Sequence, residues 1–138
     1  MNHIGLWYDH REKEKQFAFD FVDFYYGNFN RNVDLIANAY TPDARITING
    51  SDFDNFWQWI DNMSARNITS LDHHLLDGVV QVVNNNTLLI TLRGTLTIGY
   101  SGSFWYFQRQ YHEEFVLRYS SYHNSYFITN HILNISDM

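Results

Sequence analysis

The chain has 138 residues, enough for one domain with a real core, and residues 1–138 read as a single unit. It has no cysteine, which excludes a disulfide framework and a thiolate zinc site. A net charge of −6 with nine scattered Lys and Arg argues against direct nucleic-acid binding. No segment reads as a signal peptide or a membrane span, so neither membrane insertion nor secretion is expected, and the Asn-X-Ser/Thr triplets at Asn49, Asn67, Asn85 and Asn134 are read as chance matches.

The mixed run Arg11 to Lys15 reads as the solvated start of a helix. Phe17, Phe21, Phe24 and Tyr25 follow at helical spacing, with Phe29 just beyond and Gly27-Asn28 as a stop. Val33, Ile36, Ala37 and Tyr40 predict a second, short helix that ends at Thr41-Pro42-Asp43. Arg45 to Asn49 alternates as a strand. Ser51 and Asp54 resemble a capping box, and Phe53, Phe56, Trp57, Ile60 and Met63 form the apolar stripe of a third helix.

Strands follow. Ile68 to Leu76 is one, with Val79 to Val83 a second or its continuation, and Asn84 to Asn86 is a turn. The alternation is clearest where Leu88, Ile90, Leu92, Leu96 and Ile98 share one face, with Gly94 in their register at a bend or bulge. Gln110 to Ser120 and Tyr126 to Ile135 complete the set, joined by a polar link from Ser121 to Asn124. Helices followed by strands predict an α+β domain, three helices packed on one face of a curved antiparallel sheet.

These elements carry motifs that resemble the nuclear transport factor 2-like family. Its Phe-Val-x-x-Tyr-Tyr-x-x-Phe helix is matched by Phe21, Val22, Tyr25, Tyr26 and Phe29. The short helix closing on a tyrosine is matched by Ile36 and Tyr40, and the strand closing on a glycine by Ile46, Ile48, Asn49 and Gly50. An Ile-Thr-x-Leu-Asp segment stands at Ile68 to Asp72, a Phe-x-Leu strand at Tyr111, Phe115 and Leu117, and a closing Tyr-x-x-x-Asn strand at Tyr126 and Asn130. The resemblance implies a cone-like fold, and it departs from the family pattern at His74 and His131.

Within that family the chain is most similar to the small subunit of the heterodimeric mRNA export receptor. The acidic residues by which the founding member looks to hold Ran-GDP are absent: Asn49 occupies one position, and the turn Ile98 to Gly102 has no carboxylate. The resemblance therefore implies a non-catalytic subunit that pairs sheet-to-sheet with a large export receptor carrying a similar domain. It would act at the nucleus and nuclear pore, shuttling to the cytoplasm. Asp72 would form an interfacial ion pair, with His74, Tyr111, Glu113, Phe115 and Leu117 on the same partner interface. Phe104, Trp105, Tyr106 and Phe107 are read as core or dimer packing or as an exposed anchor, with Phe-Gly nucleoporins a ligand the family implies.

Two alternatives stand beside this: a Ran-GDP nuclear import carrier like the founding member, and a small enzyme of the same fold, an isomerase or dehydratase, with Glu113 as a general base in the cone pocket and Asp20, Asp23, Tyr25 and His74 around it. No recognisable catalytic set, metal site or cofactor motif accompanies Glu113. His73 and His74, adjacent on a strand, point to opposite faces and are poorly placed to share a metal. His112 and His131 read as sheet-surface residues.

Overall fold

A computed structural model describes residues 12–102 and 106–138. Helix α1 (Glu12–Asn28) begins with Glu12 and Glu14, whose charge suits the helix N-terminus. Its last turn is closed by Asn28, whose Nδ2 donates to the Phe24 carbonyl at 2.8 Å. The buried residues are Ala18, Val22, Tyr25 and Phe29, with Phe17 and Phe21 packed partly buried beside them, and of the predicted stripe only Phe24 lies at the surface. Helix α2 (Val33–Ala37) is a single turn. Tyr40 already belongs to strand β1 (Tyr40–Ile48), so the chain becomes extended earlier than the periodicity predicted.

Asn49 and Gly50 both have positive φ, 49° and 81°, and turn β1 back into β2 (Ser51–Phe53). That is the demand of a two-residue hairpin whose twist matches its strands. Helix α3 (Phe56–Ala65) is capped by Asn55 rather than Ser51: its Oδ1 accepts from the Gln58 amide at 3.0 Å, and Gln58 Oε1 accepts from the Asp54 amide at 2.9 Å. Ser51 is spent on the hairpin. Phe56, Trp59 and Met63 are the side chains that α3 buries, whereas Trp57 faces outward.

Strands β3 (Ile68–Asn84), β4 (Thr87–Tyr100), β5 (Tyr106–Ser120) and β6 (Ser125–Ile135) complete one six-stranded sheet in the order β2-β1-β6-β5-β4-β3. The expected antiparallel sheet is mixed, because β1 runs parallel to β6. Ile68 to Asn84 is one strand, with a register shift between Leu75 and Asp77 opposite Gly94. A Cβ at Gly94 would lie 2.1 Å from the His74 carbonyl oxygen, so only glycine lets β3 bulge against β4 there.

All three helices cover one face of this sheet. That inner face carries Leu71, Val80, Leu88, Ile90, Leu92, Leu96, Ile98, Phe115, Leu117, Ile128 and Leu133, which form one core with the buried faces of the helices. Period-2 alternation then sends every second residue of β3 to β6 to the outer face, which no helix among the described residues covers.

Candidate functional site

Two places carry polar chemistry: a buried cluster beneath the helices and the open face on the other side of the sheet.

The buried cluster centres on Glu113, which is fully enclosed. Tyr26 donates to its Oε1 at 2.7 Å, and His131 Nε2 stands 2.6 Å from its Oε2. On the other side of the His131 ring, Nδ1 lies 2.8 Å from the Tyr40 hydroxyl, which lies 2.6 Å from the Tyr25 hydroxyl. With Nε2 protonated His131 donates to Glu113, and the rest of the chain is satisfied in either direction: Tyr25 to Tyr40 to Nδ1, or Nδ1 to Tyr40 to Tyr25. Phe115 stacks on the His131 ring at 4.3 Å, and Trp59 meets it edge-on at 5.5 Å.

Burial pushes the Glu113 carboxyl up, but the hydrogen bond and charge of His131, the charge of His73 and the Tyr26 hydroxyl outweigh it, and the net shift is downward. Desolvation pushes the phenols of Tyr25, Tyr26 and Tyr40 well up. His73 stacks on Tyr26 at 4.0 Å with its Nε2 3.9 Å from Glu113 Oε1, and neither ring nitrogen has a hydrogen-bond partner. Burial brings its value down to about 4, so it is neutral at pH 7.

A cavity of about 360 Å³ lies near this cluster without reaching it. Its walls are Ile48, Phe53, Trp59, Met63, Leu71 and Ile135, with Asn49, Asn62 and Arg66 among its polar groups. Neither Glu113, His73 nor His131 lines it, and Trp59 belongs both to its wall and to the packing around His131. No carboxylate lines it either.

This placement corrects several expectations. Tyr111, Glu113, Phe115 and Leu117 do share a face, as expected, but it is the inner one, and all four are buried under the helices rather than presented to a partner. His131 is likewise interior, since it shares its register with Leu133 and Ile135. Asp20 and Asp23 are exposed on α1, and His74 points away from Glu113. Tyr106 and Phe107 are exposed, with the Arg109 guanidinium 5.3 Å from the Phe107 ring; Phe104 and Trp105 lie outside the described residues.

The outer face takes Asp72 and His74 as expected. Asp72 is exposed, and its Oδ1 accepts from Asn30 Nδ2 at 2.8 Å. Asn30 also bonds both the amide and the carbonyl of Leu71, so the turn after α1 fixes the start of β3. Cross-strand register assembles the rest of the face. Val79, Thr91, Glu114 and Ile132 form one row, and Gln81, Leu89, Val116 and Asn130 the next. Asp77, Arg93, His112 and Asn134 form a third, in which Arg93 donates to Asp77 at 2.6 to 2.9 Å. The face thus has an apolar band of Val79, Leu89, Val116 and Ile132, one residue from each strand, among Thr, Gln, Asn and charged side chains.

No family model matches the sequence, and no curated protein matches it. Solved structures do. Nuclear transport factor 2 from Cryptosporidium parvum superposes with a TM-score of 0.72 at 16% identity, over 93% of this chain and 98% of that one. The chain has the nuclear transport factor 2-like fold. A Mex67:Mtr2 complex with a bound Sac3N peptide matches at a TM-score of 0.68 and 16% identity, over 88% and 98% of the two chains. A ketosteroid isomerase-like protein from Erwinia carotovora atroseptica matches at 0.70 and 13%, over 95% and 100%. Transport factors and enzyme-like proteins thus share this architecture, and the fold alone does not choose between them. The Asn49-Gly50 pair that looked like a mark of one branch has a local cause in its hairpin. Its side chain adds a second, since Asn49 Oδ1 accepts from the Ile135 amide at 2.6 Å.

Proposed function

We propose that this chain is a non-catalytic binding subunit that pairs, through the outer face of its sheet, with a larger chain carrying a similar domain. On this reading it serves as the small subunit of an mRNA export receptor, working at the nuclear pore. The observation that carries the pairing is the face itself. Four long strands present an apolar band with polar surroundings, and the three helices of the described residues lie on the opposite side. Aliphatic groups set among polar and charged ones in this way suit a protein interface with an apolar centre and a polar rim. Asp72, at one end of the face, is placed to meet a partner cation. Likeness to a Mex67:Mtr2 complex supports a two-chain assembly, and the absence of carboxylates around the cavity disfavours a site built to receive basic residues of Ran. Tyr106 and Phe107, both exposed, are the side chains offered to an apolar repeat such as those of nucleoporins.

The Glu113, His131 and tyrosine chain favours the second reading, an isomerase or dehydratase. Against it, Glu113 is sealed from the cavity and its carboxyl is shifted down, which makes it a weak base at neutral pH. The cone interior is occupied by Phe29, Phe56, Trp59 and Phe115.

The test is co-purification from the protein's own cells. Wild type brings down a larger chain with a similar domain, while Val116→Arg, which places a charge at the centre of the face, does not. Recovery of the wild-type protein as a stable monomer with no such partner would sink the proposal.

A further inference from the structure

A groove at one corner of the sheet borders the pairing face and shares Asn130 with it. It lies where the start of β1, the end of β5, the β5–β6 turn and β6 meet, and it encloses about 680 Å³. Arg45 and Arg118 both line it and both are exposed. Among the described residues neither guanidinium has an ion-pair partner. This is notable in a chain of net charge −6, where acidic groups outnumber basic ones. Register fixes their relation: Arg45 pairs with Asn130, which pairs with Val116, and Arg118 lies two residues beyond Val116 on β5. Two strand spacings across and two residues along put their Cα atoms about 12 Å apart. Tyr119, Tyr122 and Phe127 supply aromatic surface beside them, and Tyr122 is 91% exposed. Asp43 also lines the groove and offsets one of the two charges.

We propose that this groove docks an extended acidic peptide segment of a partner protein, with two carboxylates held by Arg45 and Arg118 and an aromatic or aliphatic side chain laid on Tyr122 and Phe127. Each guanidinium can take a carboxylate through two parallel hydrogen bonds. In an extended chain, residues three or four apart are separated by about 10 to 14 Å, which matches the spacing of the arginines. Charge selects the occupant. The protein as a whole repels polyanions, so a short segment with two local carboxylates is favoured over a nucleic-acid strand with a charge at every phosphate. The groove adjoins the pairing face, since Asn130 belongs to both, but the contact is of a different class, two guanidinium–carboxylate pairs rather than an apolar centre.

The experiment is fluorescence anisotropy on the full chain. The probe is a labelled extended peptide carrying two glutamates separated by two residues and one tyrosine, and its glutamine counterpart is the control. Binding that weakens with salt, falls at least tenfold in Arg45→Ala/Arg118→Ala and tightens severalfold in Asp43→Asn is the expected result. Asp43→Asn keeps the test decisive should the double variant fold poorly, as read by circular dichroism. Equal binding of the glutamine peptide, or no tightening in Asp43→Asn, overturns the proposal. So does a single-stranded oligouridine that binds more tightly than the peptide through the same arginines.

Discussion

The two faces of one sheet have opposite chemistry from the same alternation. The inner face is apolar apart from a hydrogen-bonded polar chain that runs from Tyr25 through Tyr40 and His131 to Glu113 and Tyr26, with the unpartnered His73 ring and Tyr111 hydroxyl beside it. The outer face is largely polar and carries an apolar band, Val79, Leu89, Val116 and Ile132, with exposed Leu76 and Val83 on β3. A polar group buried on the inside must be fully partnered or it destabilises the fold. An apolar group left on the outside costs little by itself, and its use lies in what can cover it. The inner polar chain is therefore read as architecture and the outer apolar band as function.

That contrast can be broken by substitution. The largest effect is expected inside. Glu113→Ala leaves the Tyr26 hydroxyl and His131 Nε2 without their acceptor in a closed core, and should destabilise the fold by about 3–5 kcal/mol in urea titration. Trp59→Ala should cost a similar amount, about 3–5 kcal/mol, because it empties the space between the cavity and His131. If Glu113→Ala were nearly neutral, the carboxylate would not be bearing on the fold, and a catalytic role would regain ground.

Acid should act on the same cluster. His73 has its value depressed from 6.5 to about 4, so below pH 6.5 the unfolded chain takes up a proton that the folded chain refuses. The stability that His73 contributes is full above about pH 6.5 and falls as pH drops toward 4, by up to about 3 kcal/mol. Glu113, held below its ordinary 4.5, adds a further loss as pH falls below that value. Thermal melts between pH 4 and 7 would show it. His73→Phe keeps the stack on Tyr26 and removes two unpartnered nitrogens, so it should flatten the upper part of this window.

Outside, stability should barely respond. Thr91→Ala and His112→Ala are expected to stay within about 0.5 kcal/mol of wild type. Breaking the exposed Arg93 and Asp77 pair should cost about 0.2–1 kcal/mol. A loss of several kcal/mol on this face would mean that it holds the fold together rather than awaiting a partner.

Much of this was legible in the sequence, and the failures have one cause. Alternation places Leu88 to Ile98 on a buried face and puts Tyr111, Glu113, Phe115 and Leu117 together, and both groupings hold. Parity does not say what covers a face, so the β5 set was expected at a partner and is found beneath α1. His131 could have been placed by the same parity, since Leu133 and Ile135 follow it at even steps. Its bond to Glu113 crosses from β6 to β5 and could not be read locally. The hairpin at Asn49-Gly50 was visible as residues but taken as a mark of kinship, and the cap at Asn55 was missed because Ser51 and Asp54 imitated one. The parallel β1–β6 pair joins segments more than eighty residues apart, which no local pattern encodes.

The central claim is that the outer face is an interface and the inner carboxylate is not a catalyst. Native mass spectrometry of the protein purified from its own cells tests it most directly, with wild type and Val116→Arg compared side by side. The account predicts a complex with a larger chain of similar domain for wild type and a free, folded monomer for Val116→Arg. A wild-type monomer, or a complex that survives Val116→Arg unchanged, would contradict it.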